Sequence, residues 1–163
     1  MPKPLSIILY IENIRSLHNL GALFRTADAV GAEKIILSPL CATPPRTEIS
    51  KTALGAELSV PWEQPAEPLA TLRDLQRTGY QIIALEQTPT SSDLYTTDVR
   101  PSMVLVVGHE REGVSKEILD LCELHLEIPM RGTSAHSLNV STATGIALYE
   151  LSRRLCYDGA TIG

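Results

Sequence analysis

The sequence has no apolar run long enough to cross a membrane, and the short apolar run near its N-terminus ends at Glu12. A membrane-spanning helix needs about 20 consecutive apolar residues. A secretion signal needs an apolar stretch longer than this one and a cleavage site of small residues, and both are lacking here. The sequence therefore predicts a cytoplasmic protein. Its 163 residues, 44% of them hydrophobic and 20% charged, are typical of one globular domain spanning 1–163.

Cysteine and histidine are scarce, and neither is arranged as a metal-binding motif. The three cysteines, Cys41, Cys122 and Cys156, are odd in number and widely spaced, which indicates free thiols in a reducing compartment. Cys122 lies in the apolar segment "ILDLCELHLEI" and is predicted to be a core residue. The four histidines form no HxxxH or HExxH pattern, so no metal is expected.

The chain also lacks an excess of positive charge, because its formal net charge is −5. Binding to a nucleic-acid backbone requires local positive charge, however, and not a basic total. The sequence contains ten arginines and only four lysines, and the planar guanidinium of arginine is the better match to a phosphate group. Composition alone therefore leaves the partner open.

Apolar runs typical of buried strands alternate with segments of helical periodicity. The run "LSIILYI" is apolar throughout, as in strands that are covered on both faces of a sheet. In the next segment apolar residues recur at helical spacing, and Gly31 is placed to end that helix. The predicted strands are 5–11, 34–37, 81–85, 103–108 and 124–128, and the predicted helices lie near 20–30, 48–57, 67–78, 115–121 and 137–154. This alternation predicts an α/β domain with a mostly parallel sheet and helices on both faces.

Ligands of such folds bind in the loops that follow the carboxyl ends of the strands. The loops after Leu85, Val107 and Ile128 are therefore the places where a binding site is expected. All three carry unusual chemistry for a surface loop. A helix that contains an internal glycine adds a fourth unusual segment.

That helix lies in "HNLGALFRTADAVGA", where Gly21 and Arg25 are four residues apart, so that Arg25 would lie across Gly21. Glycine costs about 1 kcal/mol in a helix interior, which indicates that something needs space or a close backbone approach there. The simpler alternative makes Asn19 the N-cap, puts Gly21 in an irregular first turn and leaves Arg25 on a solvated face. This segment by itself favours the simpler alternative.

The loop "GHEREG" follows a buried strand directly, and Gly108 and Gly113 permit a tight turn before the next helix. It is neither a P-loop nor the GxGxxG fingerprint of dinucleotide-binding folds. Two carboxylates and an arginine within six residues suit a polar ligand such as a ribose or a cation. A charged surface turn is an equally good interpretation of this loop alone.

The third segment, "EIPMRGTSAHSLNVSTATGIALYELSRR", leads from a strand into the last helix. Ser137 is predicted to be an ordinary N-cap, and Asn139 a first-turn residue whose donors and acceptors are left free. The helix has two apolar stripes, which predicts burial on two sides, against the sheet and against a second subunit. One stripe contains Val140, Ala143, Ala147 and Leu151, and the other contains Leu138, Ile146 and Tyr149.

In this order, the three segments resemble the motifs of the SpoU/TrmH family, the RNA ribose 2′-O-methyltransferases of the SPOUT superfamily. The similar stretches are "NLGALFRTADAVGA" (19–32), "VVGHEREGVS" (106–115) and "IPMRGTSAHSLNVSTATGIALYE" (128–150), with "SKTALGAE" (50–57) as a further element. The resemblance implies S-adenosylmethionine as methyl donor, RNA as substrate, a homodimer formed through the C-terminal helix, and a deep C-terminal trefoil knot.

The resemblance also implies functional residues. It implies a catalytic set and a cofactor-binding set, in which the adenosine part of the cofactor lies among the three loops. The catalytic set is Asn19, Arg25, Glu110, Ser137 and Asn139. The cofactor set is Leu85, Gly108, Ile128, Met130, Ser137 and Leu138. We interpret Arg25 as an anchor for the phosphate next to the target ribose, because a guanidinium holds its proton too strongly to be a good base. Asn19, Ser137 and Asn139 would orient Arg25 and the ribose, and Glu110 would fix its loop or the surroundings of Arg25.

The function expected from these motifs is methylation of tRNA, with rRNA as the second candidate. The alternative is an inactive module of the same fold that holds the cofactor or RNA, although the complete catalytic set argues against it. A hydrolase that uses His109 and Glu110 lacks a nucleophile and a third member. RNA contacts are expected from six basic residues, which are Arg15, Arg46, Lys51, Arg111, Lys116 and Arg131.

Overall fold

The computed structural model describes residues 6–156, and a seven-stranded sheet forms the centre of this part of the chain. The strands are β1 (Ile7–Ile11), β2 (Lys34–Leu37), β3 (Trp62–Glu63), β4 (Gln81–Leu85), β5 (Ser92–Asp93), β6 (Met103–Val107) and β7 (Leu124–Glu127). Their order across the sheet is β3-β2-β1-β6-β4-β7-β5, and all neighbours are parallel. The five longer strands confirm the predicted ones, except that residue 5 lies outside the described residues. The pattern does not predict β3 and β5, because two residues are too few to show a periodicity.

Six helices accompany the sheet within residues 6–156. They are α1 (Leu17–Val30), α2 (Thr47–Ala53), α3 (Ala56–Ser59), α4 (Pro68–Arg77), α5 (Lys116–Leu121) and α6 (Val140–Cys156). The single helix predicted around 48–57 is divided into α2 and α3, because Leu54 and Gly55 adopt positive φ angles of 53° and 94°.

Helices cover both faces of the sheet, as the apolar runs predict. Ile7, Leu9 and Ile11 of β1 belong to the core beneath α1, α2, α3 and α6. Ile8 and Tyr10, the alternate residues, belong to the core beneath α4 and α5. All five are buried, so the strand is apolar throughout because neither face meets water.

Helix α1 begins earlier than the simpler interpretation of its sequence allows. Ser16 is the N-cap, and its side chain accepts a hydrogen bond from the Asn19 backbone N–H at 3.2 Å. Asn19 therefore lies within the first turn, and the prediction that it caps the helix is wrong. Gly31 ends the helix in the left-handed conformation with φ 76°, which confirms the predicted C-terminal glycine.

Gly21 is needed because α2 packs directly on α1. A Cβ atom added to Gly21 would lie 2.3 Å from the backbone oxygen of Ile49 and 3.0 Å from the backbone nitrogen of Ala53. Thr52, on the same face of α2, donates a hydrogen bond from its hydroxyl to the His18 carbonyl at 2.9 Å. The close backbone approach inferred for this glycine is thus a contact between two helices.

The part of the chain that the structure describes contains no helix long and apolar enough to cross a membrane. Among the same residues, no group of three acidic, histidine or cysteine side chains is arranged to hold a metal ion. All three cysteines are free. Cys122 packs half-buried against the core beneath α4 and α5, and burial raises the pKa of its thiol to about 12.

Candidate active site at the strand ends

A cleft opens at the carboxyl edge of the sheet, where the loops after β4, β6 and β7 meet. These strands are neighbours in the sheet, so parallel pairing brings their C-terminal ends to one edge. The residues that precede α6 and its first turns form a further wall of the cleft. All six residues of the predicted cofactor set line this cleft, namely Leu85, Gly108, Ile128, Met130, Ser137 and Leu138.

The loop after β6 makes the tight turn that its two glycines predict. The Gly113 N–H donates to the His109 carbonyl at 2.7 Å, and Gly113 adopts a φ of 68°. A Cβ atom on Gly108 would lie 2.6 Å from the Gly113 carbonyl carbon, so the two backbones touch. His109 closes the turn, because its Nδ1 accepts the backbone N–H of Arg111 at 3.1 Å. This nitrogen is therefore engaged with the backbone, which counts against a hydrolase that uses His109 as its base.

A chain of side-chain hydrogen bonds joins the three motif segments. The Asn139 Nδ2 donates to the Asn19 Oδ1 at 3.3 Å, and the Asn19 Nδ2 donates to the Glu110 carboxylate. Asn19 is only 7% exposed, while Glu110 lines the cleft. Glu110 lies 91 positions after Asn19 in the sequence, and Asn139 lies 120 positions after it. The three residues nevertheless form one connected group beside the cleft.

Asn139 is the N-cap of α6. Its Oδ1 accepts hydrogen bonds from the backbone N–H of Ser141 at 2.9 Å and of Thr142 at 3.3 Å. The predictions that Ser137 caps the helix and that the helix begins at 137 are therefore wrong, because an asparagine two residues later satisfies the free N–H groups of the first turn. The amide nitrogen of Asn139 is left to bond Asn19, so one side chain both starts the helix and joins the network.

Arg25 and Ser137 stand apart from this network. Both are exposed, and neither forms a hydrogen bond or an ion pair with any residue between 6 and 156. Asn19 is engaged with Glu110 and Asn139 and does not orient Arg25. Asn19 and Arg25 are six positions apart on α1, and at 3.6 residues per turn this places them about 120° apart around the axis. The guanidinium of Arg25 is free to meet an anion from solution.

Two carboxylates that the sequence analysis does not select hold the loop after β6. Glu12 follows β1 and accepts hydrogen bonds from the Ser115 N–H at 2.6 Å and the Ser115 hydroxyl at 3.0 Å. Glu86 follows β4 and accepts the Val114 N–H at 3.0 Å. In the sequence, the pattern that could have indicated these glutamates is an acidic residue directly after a buried strand.

Burial, and next the charge of Glu12, raises the pKa of the nearby Tyr10 phenol above its usual value.

The six basic residues expected to contact RNA are all exposed. Lys116 is paired with Asp120 at 2.8 Å. The other five form no ion pair within the described residues, so their charges remain available to phosphate groups.

Comparison with known proteins gives a consistent result. The profile of the SpoU rRNA Methylase family matches residues 6–149. A 23S rRNA (guanosine-2′-O-)-methyltransferase, RlmB of Ralstonia nicotianae, is 36% identical over 148 residues, which are 91% of this chain and 59% of the relative. A tRNA (guanosine(18)-2′-O)-methyltransferase of Aquifex aeolicus is 36% identical over 91% of this chain and 69% of its own length. The chain thus spans about three fifths of the first of these relatives.

Solved structures share the fold. The TrmH/SpoU tRNA-modifying enzyme of Aquifex aeolicus superposes with a TM-score of 0.83 and 32% identity, over 96% of this chain and 79% of that one. An AdoMet-bound rRNA methyltransferase from Sinorhizobium meliloti superposes with a TM-score of 0.83 and 31% identity, over 94% of this chain and 57% of that one. A structure that concerns 2-OH methylation of C/U34 on tRNA superposes with a TM-score of 0.82 and 28% identity, over 94% of this chain and 99% of that one.

Proposed function

Because the chain belongs to the SpoU rRNA methylase family, we propose that it is an S-adenosylmethionine-dependent RNA 2′-O-ribose methyltransferase that acts on tRNA. The observation that carries the proposal is the hydrogen-bonded group Asn139–Asn19–Glu110, which joins all three motif segments beside the cleft at the strand ends. Arg25, on the same helix as Asn19, forms no hydrogen bond or ion pair within residues 6–156 and is exposed, so it supplies a place for a phosphate.

Relatives that act on tRNA and on rRNA both resemble the chain, so rRNA is the second candidate substrate. Two of the solved structures that superpose on it are described as tRNA-modifying, and one of these is matched over 99% of its own chain, which supports tRNA. The test is to map 2′-O-methyl marks on total RNA from a deletion strain and its parent. Loss of one tRNA mark is expected, whereas an unchanged map would favour the inactive binding module.

The cleft suits the adenosine part of S-adenosylmethionine. Leu85, Ile128, Met130 and Leu138 give it apolar walls for a base, and such walls with a few polar groups are typical of small-molecule sites. Glu86, Glu110 and Glu127 supply carboxylates at the same cleft. When bound, S-adenosylmethionine supplies an electrophilic methyl group.

We expect calorimetry to detect the binding of S-adenosylmethionine. Leu138→Asp should weaken that binding at least about tenfold, because a carboxylate would replace part of an apolar wall. No heat at high micromolar cofactor would contradict the cofactor proposal.

The residues of the chain act by holding and orienting. Arg25 would bind the phosphate beside the target ribose, so that the 2′-hydroxyl faces the cleft. Asn19, Glu110 and Asn139 would keep the three loops in register around the cleft, and Ser137 would contact the ribose. Such orientation is worth about 7–11 kcal/mol in well-aligned reactions, so methyl transfer needs little else from the protein.

RNA would be held by those of the six basic residues that form no ion pair in the described part of the chain. For single strands, log affinity falls against log salt with a slope of about −0.7 per phosphate contact. Removing the charges of both Arg46 and Lys51 by glutamine is therefore expected to flatten the slope by about 1.4. Lys116→Gln is the control, because the Asp120 carboxylate 2.8 Å away already compensates that charge. Equal slopes for all variants would contradict a phosphate footprint at these residues.

We further propose a homodimer that forms through α6. Ile146 and Tyr149 of α6 line a groove with Val30 and Tyr95, and Tyr149 is 53% exposed. The polar residues Glu150, Ser152 and Arg153 line the same groove. Sedimentation equilibrium is expected to give a dimer for the unaltered protein and a monomer for Tyr149→Asp. Leu58→Asp changes a side chain that is 89% exposed on α3, and it should leave the dimer intact. A monomeric unaltered protein would contradict the proposal.

The trefoil knot implied by the resemblance is also a proposal. Its support is that β7 pairs with both β4 and β5 within the sheet, after which the chain returns so that α6 packs on α1. The test is to trace the chain in an experimental density map. A backbone path that contains no knot when its two ends are extended would contradict the proposal.

A further inference from the structure

The loop between β6 and α5, residues 108–115, carries Gly108 and Glu110 to the cleft. In the sheet β6 lies between β1 and β4, so the loop emerges between the ends of two neighbouring strands. The first residue after β1 is Glu12, and the first residue after β4 is Glu86. Each neighbour of β6 therefore ends in a glutamate beside this loop.

The two glutamates bond successive backbone N–H groups of the loop. Glu86 accepts the Val114 N–H at 3.0 Å, and Glu12 accepts the Ser115 N–H at 2.6 Å and the Ser115 hydroxyl at 3.0 Å. Glu12 is only 5% exposed. Neither glutamate forms an ion pair within residues 6–156, so the loop supplies the partners that a buried carboxylate requires.

The glycine at position 113 is explained by its backbone conformation and by the same contact. Its φ of 68° favours glycine, and a Cβ atom added to it would lie 2.6 Å from the Glu86 Oε2. The absence of a side chain at this position thus lets the carboxylate reach the Val114 N–H. Glu86 also lines the cleft, so the contact that holds the loop forms part of the wall of the proposed cofactor site.

We propose that Glu12 and Glu86 are positioning residues, a pair of carboxylates that clamp the 108–115 loop in the shape that presents Gly108 and Glu110 to the cofactor and to Asn19. The inference rests on the proposed function for its ligand. The clamp itself rests on the contacts of the loop. Neither glutamate needs to touch the reacting atoms.

The test compares alanine and glutamine variants of each glutamate by calorimetry with S-adenosylmethionine. Glu86→Ala and Glu12→Ala are expected to weaken cofactor binding about 10- to 100-fold, the range that a hydrogen bond to a charged group corresponds to. Glu86→Gln and Glu12→Gln keep an oxygen that can accept the same N–H, so most of the affinity should return. Hydrogen exchange of the Val114 and Ser115 amides should become faster in the alanine variants only.

The matched control is Asp93→Ala, which removes a carboxylate that accepts the Tyr95 N–H at 2.7 Å and that is not among the residues lining the cleft. It should alter thermal stability and leave cofactor affinity unchanged. The positioning role is overturned if Glu12→Ala and Glu86→Ala each lower stability as Asp93→Ala does but keep the cofactor affinity within about twofold of that of the unaltered protein. Unchanged exchange at both amides also overturns it. Failure of the unaltered protein to bind S-adenosylmethionine would reject the proposed function, and the exchange rates alone would then decide whether the clamp exists.

Discussion

Replacing Arg25 with alanine is expected to lower the single-turnover rate of RNA methylation by about 100- to 1,000-fold, the loss typical of one preorganised group that stabilises a transition state. Arg25 is exposed and has no partner among the described residues, so its charge is available to the substrate. Arg25→Lys should recover only part of the rate, because an ammonium cannot make the two parallel hydrogen bonds that a guanidinium makes to a phosphate. The control is Arg73→Ala, which changes an exposed arginine on α4, a helix of the opposite face of the sheet.

The dependence of the rate on pH distinguishes an anchor from a base. An anchor acts through its charge and gives up no proton, so Arg25→Lys should lower the rate without moving the pH profile. If Arg25 were the base, the logarithm of the rate would rise linearly with pH, and lysine would shift that rise to lower pH. A lysine variant with nearly full activity and an unchanged profile would contradict the bidentate anchor.

Replacing Gly21 with alanine is expected to destabilise the protein by about 1–3 kcal/mol, the usual cost of overpacking a core. The added Cβ atom would lie 2.3 Å from the Ile49 carbonyl oxygen and 3.0 Å from the Ala53 nitrogen. The Thr52 hydroxyl also obstructs the added atom. That side chain can rotate, but the other two atoms are backbone, so α1 and α2 must move apart to admit the Cβ atom. At about 2–4 °C per kcal/mol for a chain of this size, thermal unfolding at fixed protein concentration will measure the effect.

The matched control is Gly145→Ala in the interior of α6. A Cβ atom there would lie 3.7 Å from the Thr26 methyl group, an ordinary contact. Since alanine is the better helix former by about 1 kcal/mol, this variant should be unchanged or more stable. Equal effects of the two substitutions would mean that helix propensity and not the contact between α1 and α2 accounts for Gly21.

The three loops at the cleft show how far a sequence pattern reaches. The loops after Leu85, Val107 and Ile128 could be placed together because each follows a buried strand, and parallel strands end at one edge of their sheet, whereas the residues of the cofactor set come from the resemblance. The same rule misses Glu12 and Glu86. Each also follows a strand, but a single acidic residue after a strand resembles any polar turn until its hydrogen-bond partner is known.

The structure brings together three residues of the predicted catalytic set, but not all of the contacts expected between its residues. Asn19, Glu110 and Asn139 meet in one network, but the expected link to Arg25 is absent among the described residues. Asn139 caps α6 where Ser137 was expected to do so. Local sequence allows either residue as a cap, and only the position of Asn19, 120 residues earlier, gives the amide of Asn139 its second partner.

By itself the sequence determined the five longer strands and the approximate positions of the helices: apolar runs indicate strands covered on both faces, helical periodicity indicates the helices, and their alternation indicates a parallel sheet with its loops at one edge. The tertiary structure alone decided which distant residues meet. The insertion of β6 between β1 and β4 brings Glu12 to Ser115 across 103 positions, and the packing of α2 on α1 explains Gly21. The physical reason is that strand order and helix contacts depend on pairing between distant segments, which periodicity within one segment does not encode.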